Sequence, residues 1–138
     1  MKRSGILHPQ LARVLAELGH GDFLVVADAG LPVPINVQRI DLAFAAGKPR
    51  FVEVLDAVLG EMEVERVILA AEIRAAAPRV FFDEVWRRLE GLPKVMIKGH
   101  EFVPHEEFKA LTHRARAVVR TGEFTPYANV ILVSGVVF

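Results

Sequence analysis

Cysteine is absent from the 138 residues. No disulfide can staple the chain, and no thiolate can hold zinc or an iron–sulfur cluster. A chain without thiols suits a reducing compartment, so we expect a cytoplasmic protein. An excess of one charge is lacking too, because 17 Lys and Arg balance 17 Asp and Glu. No global field then draws in nucleic acid or an anionic membrane. Arg87, Arg88, Arg114 and Arg116 are dispersed among acids and read as solvated faces rather than a nucleic-acid track. No apolar run reaches the roughly 18 residues expected of a membrane helix. The basic start, Met1 to Ser4, is followed by Leu7-His8-Pro9-Gln10, which interrupts any signal-peptide core. The chain reads as mature and soluble, with no membrane insertion. Three motifs are also missing: the phosphate loop Gly-x-x-x-x-Gly-Lys-Ser/Thr, the dinucleotide turn Gly-x-Gly-x-x-Gly and the hydrolase elbow Gly-x-Ser-x-Gly. No His-x-x-x-His pair stands beside a carboxylate on one clear helix, so neither a metal nor a cofactor is expected.

What the chain does have is apolar residues, at 52%, and a mean hydropathy of +0.32. For one domain spanning 1–138, that excess implies a sheet buried on both faces or apolar surface covered by other subunits. Leu11, Val14, Leu15 and Leu18 fall at helical spacing, with Pro9 fit for the first turn and Gly19 for the cap. Phe23 to Ala27 is a continuous apolar run, too short for a helix, and predicts a buried strand ending at Asp28. The prolines at 32 and 34 stiffen the loop that follows. Further strands are expected at Arg39–Phe44, Glu65–Ala70, Val95–Lys98, Ala117–Arg120 and Asn129–Val133, with a last strand segment running to Phe138. Helices are expected at Phe51–Val58, Glu72–Ala76, along the stripe Phe82, Val85, Trp86 and Leu89, and from Pro104 onward. Alternation of this kind predicts an α/β fold, a three-layer αβα sandwich. The link between the last two strands is short for a parallel crossover, so the sheet should be mixed but mostly parallel.

Several polar residues border these strands, and each has two readings. His20 lies between two glycines after the first helix. It is either a histidine favoured by the helix dipole or a general acid. Asp28 either caps its own loop or faces a ligand at the carboxyl end of a strand, where open α/β sheets bind. Tyr127, the one tyrosine, and Asn129 are two residues apart. In an extended segment they point the same way and can grip adjacent hydroxyls of a polyol, or they merely open a strand. His105 begins a helix after Pro104, as a solvated residue or as a ligand to substrate.

Five extended residues at about 3.3 Å each separate His20 from Asp28 by roughly 17 Å. Unless that strand is bent or misread, they cannot form a pair within one subunit. If both serve one site, they most simply come from different subunits.

Several blocks stand in order along the chain: Gly19-His20, Asp28-Ala29-Gly30-Leu31-Pro32, Arg39-Ile40-Asp41, Glu61-Met62, His105-Glu106-Glu107-Phe108-Lys109, and Arg120-Thr121-Gly122-Glu123 through Pro126-Tyr127-Ala128-Asn129. Together they closely resemble the D-ribose pyranase family, sugar isomerases related to the fucose mutarotases. One departure is Ala70-Ala71-Glu72, where the family more often carries two acids in succession. The resemblance implies interconversion of β-D-ribopyranose and β-D-ribofuranose without cofactor or metal, supplying furanose to ribokinase. It implies that His20 is the proton donor and that Asp28, His105, Tyr127, Ala128 and Asn129 bind D-ribose. It also implies a homo-oligomer, a decamer of two stacked pentameric rings with sites between subunits. Two alternatives stand beside this: a mutarotase for fucose or another sugar, and a non-catalytic ribose-binding or transport-associated protein.

Overall fold

The computed structural model describes all residues, 1–138. Its elements in chain order are α1 (Pro9–Glu17), β1 (Phe23–Ala27), β2 (Gln38–Asp41), α2 (Phe51–Leu59), β3 (Val64–Ala70), α3 (Ile73–Ala76), α4 (Arg79–Glu90), α5 (Pro93–Lys98), β4 (His100–Val103), α6 (His105–Thr112), β5 (Ala115–Arg120) and β6 (Val130–Ser134). The six strands form one sheet in the order β2-β5-β1-β6-β3-β4. β6 runs antiparallel to both its neighbours, while β1–β5, β2–β5 and β3–β4 are parallel pairs. The chain therefore returns from β5 as an antiparallel strand, as the short link required.

The strand sequences explain the layers. Every residue of β1 and β6 is buried, because these strands lie inside the sheet and carry helices or loops on both faces. Alternate residues point to opposite sides. Leu24, Val26, Val67, Leu69, Val119, Val130 and Leu132 join the larger core with α1, α2 and α4. Phe23, Val25, Ile68, Val118, Ile131 and Val133 join a smaller core with Phe108 of α6 and with Leu31 and Val37 of the loop. The αβα layering is thus lopsided: one face is thickly covered, and the other carries α6 and an irregular loop.

Four expectations change. Val95–Lys98 belongs to α5 rather than to a strand, because Pro93 occupies its first turn. Only Val95 is buried there, with Met96 and Ile97 exposed, a one-sided pattern that suits a surface helix. The strand lies just beyond, at β4, whose polar His100 and Glu101 are tolerated on a sheet edge. β2 stops at Asp41, short of Phe44, and the last strand stops at Ser134, so Phe138 lies outside the sheet. In α4 the buried stripe is Phe81, Val85 and Leu89, while Phe82 and Trp86 stack on each other at its flank, 6.1 Å between centroids.

Candidate active site

Five parallel strands share one carboxyl end, and β6 begins there. Asp28 follows β1, Glu72 follows β3, His105 follows β4, Arg120 ends β5 and Asn129 precedes β6. The topology alone therefore gathers residues that are far apart in sequence.

Backbone bonds zip this end together. Thr121 N–H and Oγ1–H both donate to Ala27 O, at 2.9 and 2.8 Å, and Ala29 N–H donates to Glu123 O at 2.8 Å. Glu123 in turn accepts from Phe51 N–H at 3.1 Å, tying the 121–126 loop to the start of α2. A Cβ on Gly122 would run into the backbone of Lys48 and Ala45, so only glycine permits this close approach.

Asp28 and Asn129 are locked to each other. Asp28 N–H donates to Asn129 Oδ1 at 2.9 Å, and Asn129 Nδ2 donates to Asp28 Oδ2 at 2.9 Å. Gly30 N–H donates to Asp28 Oδ1 at 2.9 Å, so the carboxylate caps its own loop as well as facing a cavity. Burial pushes the Asp28 carboxyl above its ordinary range, against the pull of Gly30, Asn129, Leu31 and His105. A carboxyl shifted this way is a better proton acceptor than an exposed one. Asn129 is 1% exposed, and replacing it leaves the Asp28 N–H and Asp28 Oδ2 without these bonds. Asn129→Leu is expected to destabilise the fold by about 1–3 kcal/mol, read as a lower denaturant midpoint. An unchanged midpoint would show that the Asp28–Asn129 clamp contributes nothing to stability.

His105 opens α6, and its backbone N–H donates to Glu72 Oε1 at 3.0 Å. This bond draws the Glu72 carboxyl below its usual range. The imidazole packs edge-on against the Tyr127 ring, 5.0 Å between centroids. Its Nδ1 and the Glu72 Oε2 are both buried without a hydrogen-bond partner in the chain. Tyr127 has φ of +59°, the one non-glycine residue with positive φ, a cost more often met at functional sites. It is not in an extended segment, since β6 starts only at Val130. Tyr127 and Asn129 nonetheless line the same cavity, so the expected convergence holds through a turn rather than through strand alternation.

That cavity measures about 280 Å³ and is walled by Asp28, Gly30, His105, Pro126, Tyr127 and Asn129 among others. Four of the anticipated residues thus converge. Ala128 is fully buried in the larger core, so only its main chain can meet a ligand. A neighbouring cavity of about 430 Å³ shares the Asp28 wall and adds Arg120 and Glu123. Arg120 Nε donates to Ala29 O at 3.0 Å, and its Nη1 donates to both oxygens of Asp41 at 3.1 Å. Arg120, Glu123 and Glu72 were given no site role from sequence, although Arg120 and Glu123 stand in one of the blocks that carry the family resemblance.

His20 is elsewhere. It sits in the turn before β1, beside Glu65 at the start of β3 and Lys98 at the end of α5. This is the amino end of the parallel strands, opposite the Asp28 cavity. Within one chain His20 cannot reach the other four residues. No three His, Asp or Glu side chains converge as a metal-ligand set.

The RbsD / FucU transport protein family matches residues 1–137. The chain belongs to this family. A D-ribose pyranase of Geobacillus kaustophilus is 51% identical over 138 residues, covering 100% of this chain and 96% of that one. Bacillus subtilis RbsD, solved as a complex with D-ribose, superposes with a TM-score of 0.87 at 51% identity, over 100% of both chains. The fucose mutarotase of Streptococcus pneumoniae, solved with L-fucose, gives 0.78 at 28% identity over 94% of each chain. The family thus has a ribose and a fucose side, and this chain is nearer in sequence to the ribose relatives.

Proposed function

We propose that this protein is a D-ribose pyranase, an isomerase that interconverts β-D-ribopyranose and β-D-ribofuranose. The observation that carries the reading is its 51% identity, over its whole length, to a RbsD structure that holds D-ribose. The cavity chemistry agrees. A carboxylate, a carboxamide, an imidazole and a phenol converge on about 280 Å³, and all of them bond hydroxyl groups.

The reaction needs only proton transfers. A base takes the anomeric hydroxyl proton while an acid protonates the ring oxygen O5. The C1–O5 bond breaks and the open aldehyde forms. Rotation then brings the C4 hydroxyl to C1, and the reverse transfers close the furanose. His20 is the acid in this proposal. Asp28, raised by burial, accepts the anomeric proton, and His105, Tyr127 and Asn129 hold the remaining hydroxyls. Ala128 offers its main chain.

His20 and Asp28 lie at opposite ends of β1, so the complete site requires two subunits. Both ends carry the apolar surface such an interface covers. Met96, Ile97, Val137 and Phe138 are exposed around the His20 end, and Phe124 is exposed beside Asp28. The unit that assembles is the whole chain as one domain, supported by a single sheet shared by both cores. A ring-shaped homo-oligomer, two stacked pentamers in this proposal, repeats that contact.

NMR saturation transfer between the ring forms of D-ribose tests the reading. Protein-dependent transfer between pyranose and furanose signals is expected. Ribose binding without transfer would favour a transport-associated binding role, in keeping with the family's description. Transfer with L-fucose and none with ribose would assign the protein to the mutarotase side.

A further inference from the structure

His20 is not free at its end of the sheet. Its Nε2 lies 2.9 Å from Glu65 Oε2, and Lys98 Nζ donates to that same oxygen at 2.6 Å. Glu65 is 13% exposed, whereas His20 is 55% exposed. The carboxylate is therefore the fixed partner and the imidazole the presented one. The Lys98 hydrogen bond, with a smaller share from His20, holds the Glu65 carboxyl below its usual range. An ionised carboxylate accepts hydrogen bonds and cannot donate them, so the proton between the two residues sits on Nε2. Nδ1 is left as the nitrogen that can exchange a proton: a donor in the imidazolium, an acceptor in the neutral ring.

The other charged groups nearby are engaged elsewhere. Lys94, from α5, pairs with Glu63 at 3.6 Å and donates to the Val136 carbonyl. Asp22, in the same turn as His20, accepts from Gly19 N–H at 2.8 Å and faces Arg116. Glu65 is thus the one carboxylate bonded to the ring. Ile97 and Phe138 line the same cavity of about 280 Å³.

We propose that Glu65 is a positioning residue for His20: it fixes the imidazole through Nε2–H so that Nδ1 exchanges the proton with the sugar, while Lys98 fixes the carboxylate. This rests on the reading of His20 as the acid of a pyranase. The protons balance. Nδ1–H passes its proton to O5 as the C1–O5 bond breaks, and Asp28 takes the anomeric proton. On closure the C4 hydroxyl returns a proton to Nδ1 as the C1–O4 bond forms, and Asp28 reprotonates the former aldehyde oxygen.

The test uses Glu65→Leu, Glu65→Asp and Lys98→Met in the full assembled protein. One readout is exchange kinetics with D-ribose. The other is the ¹⁵N shifts of the His20 ring nitrogens, which distinguish the two neutral tautomers. Glu65→Leu is expected to lower kcat by about 10- to 100-fold with KM little changed, and to turn a pure Nε2–H tautomer into a mixture. Glu65→Asp should restore part of both, and Lys98→Met should loosen the tautomer less than Glu65→Leu does. An unchanged tautomer in Glu65→Leu, or a loss confined to KM, would overturn the assignment. Should Glu65→Leu fail to fold, unaltered tautomers in both Glu65→Asp and Lys98→Met would overturn it equally. Wild-type protein that assembles but exchanges no ribose would instead sink the pyranase reading. The ring-nitrogen comparison would still decide whether Glu65 sets the His20 tautomer.

Discussion

His20→Ala is expected to lower pyranose–furanose exchange by about 10²- to 10⁴-fold, the range that a well-placed general acid supplies. Ring opening is slow without a proton for O5, because an alkoxide is a poor leaving group beside neutral water. Nothing else at the amino end of the sheet can replace the imidazole. Lys98 is bound to Glu65, and Lys94 is held by Glu63 and the Val136 carbonyl. The change should cost the fold little. His20 is 55% exposed and its one side-chain partner is Glu65, across an exposed contact, so stability should stay within about 0.5 kcal/mol. The measurement pairs saturation-transfer rates with thermal melting and oligomer size. Full exchange by a folded, assembled His20→Ala protein would remove His20 from the chemistry. The role would then pass to His105, the imidazole that lines the Asp28 cavity. A loss of exchange together with loss of assembly would instead make His20 an interface residue.

The parts legible in the sequence were those governed by local pattern. Phe23–Ala27 is bounded by Asp22 and Asp28, and five consecutive apolar residues had to be an interior strand; β1 occupies those residues. The antiparallel return followed from the length of the final link. α5 and β4 were misread because the Val95-Met96-Ile97 run is too short for periodicity to separate helix from strand. There Pro93 was the better guide, and an edge strand can be half polar. The candidate site divides in the same way. Asp28 was visible because a strand end is a sequence feature. The Asp28–Asn129 clamp joins residues 101 apart in sequence, and the His20–Glu65 contact joins residues 45 apart. No local pattern encodes either pairing; both follow from strand order. Tyr127 and Asn129 were placed together on the assumption of an extended segment, and they converge through a left-handed turn instead.

The length of β1 keeps His20 and Asp28 at opposite ends of the sheet. His20→Ala and Asp28→Ala proteins are each expected to be inactive alone. Denatured together and refolded as mixed oligomers, they should regain activity. At an interface where one subunit supplies His20 and its neighbour supplies Asp28, random 1:1 mixing leaves roughly one quarter of the sites with both residues intact. The recovered rate should therefore approach about a quarter of the wild-type rate, against a background 10²- to 10⁴-fold lower. The same fraction holds whether the contact is head-to-tail or two-fold, since either way each site draws one residue from each partner. A site contained within one subunit predicts no recovery at any mixing ratio, because every chain would lack one essential group. Mixed oligomers confirmed by mass spectrometry that stay inactive would therefore refute the shared site, and with it the pairing of His20 with Asp28 in one reaction.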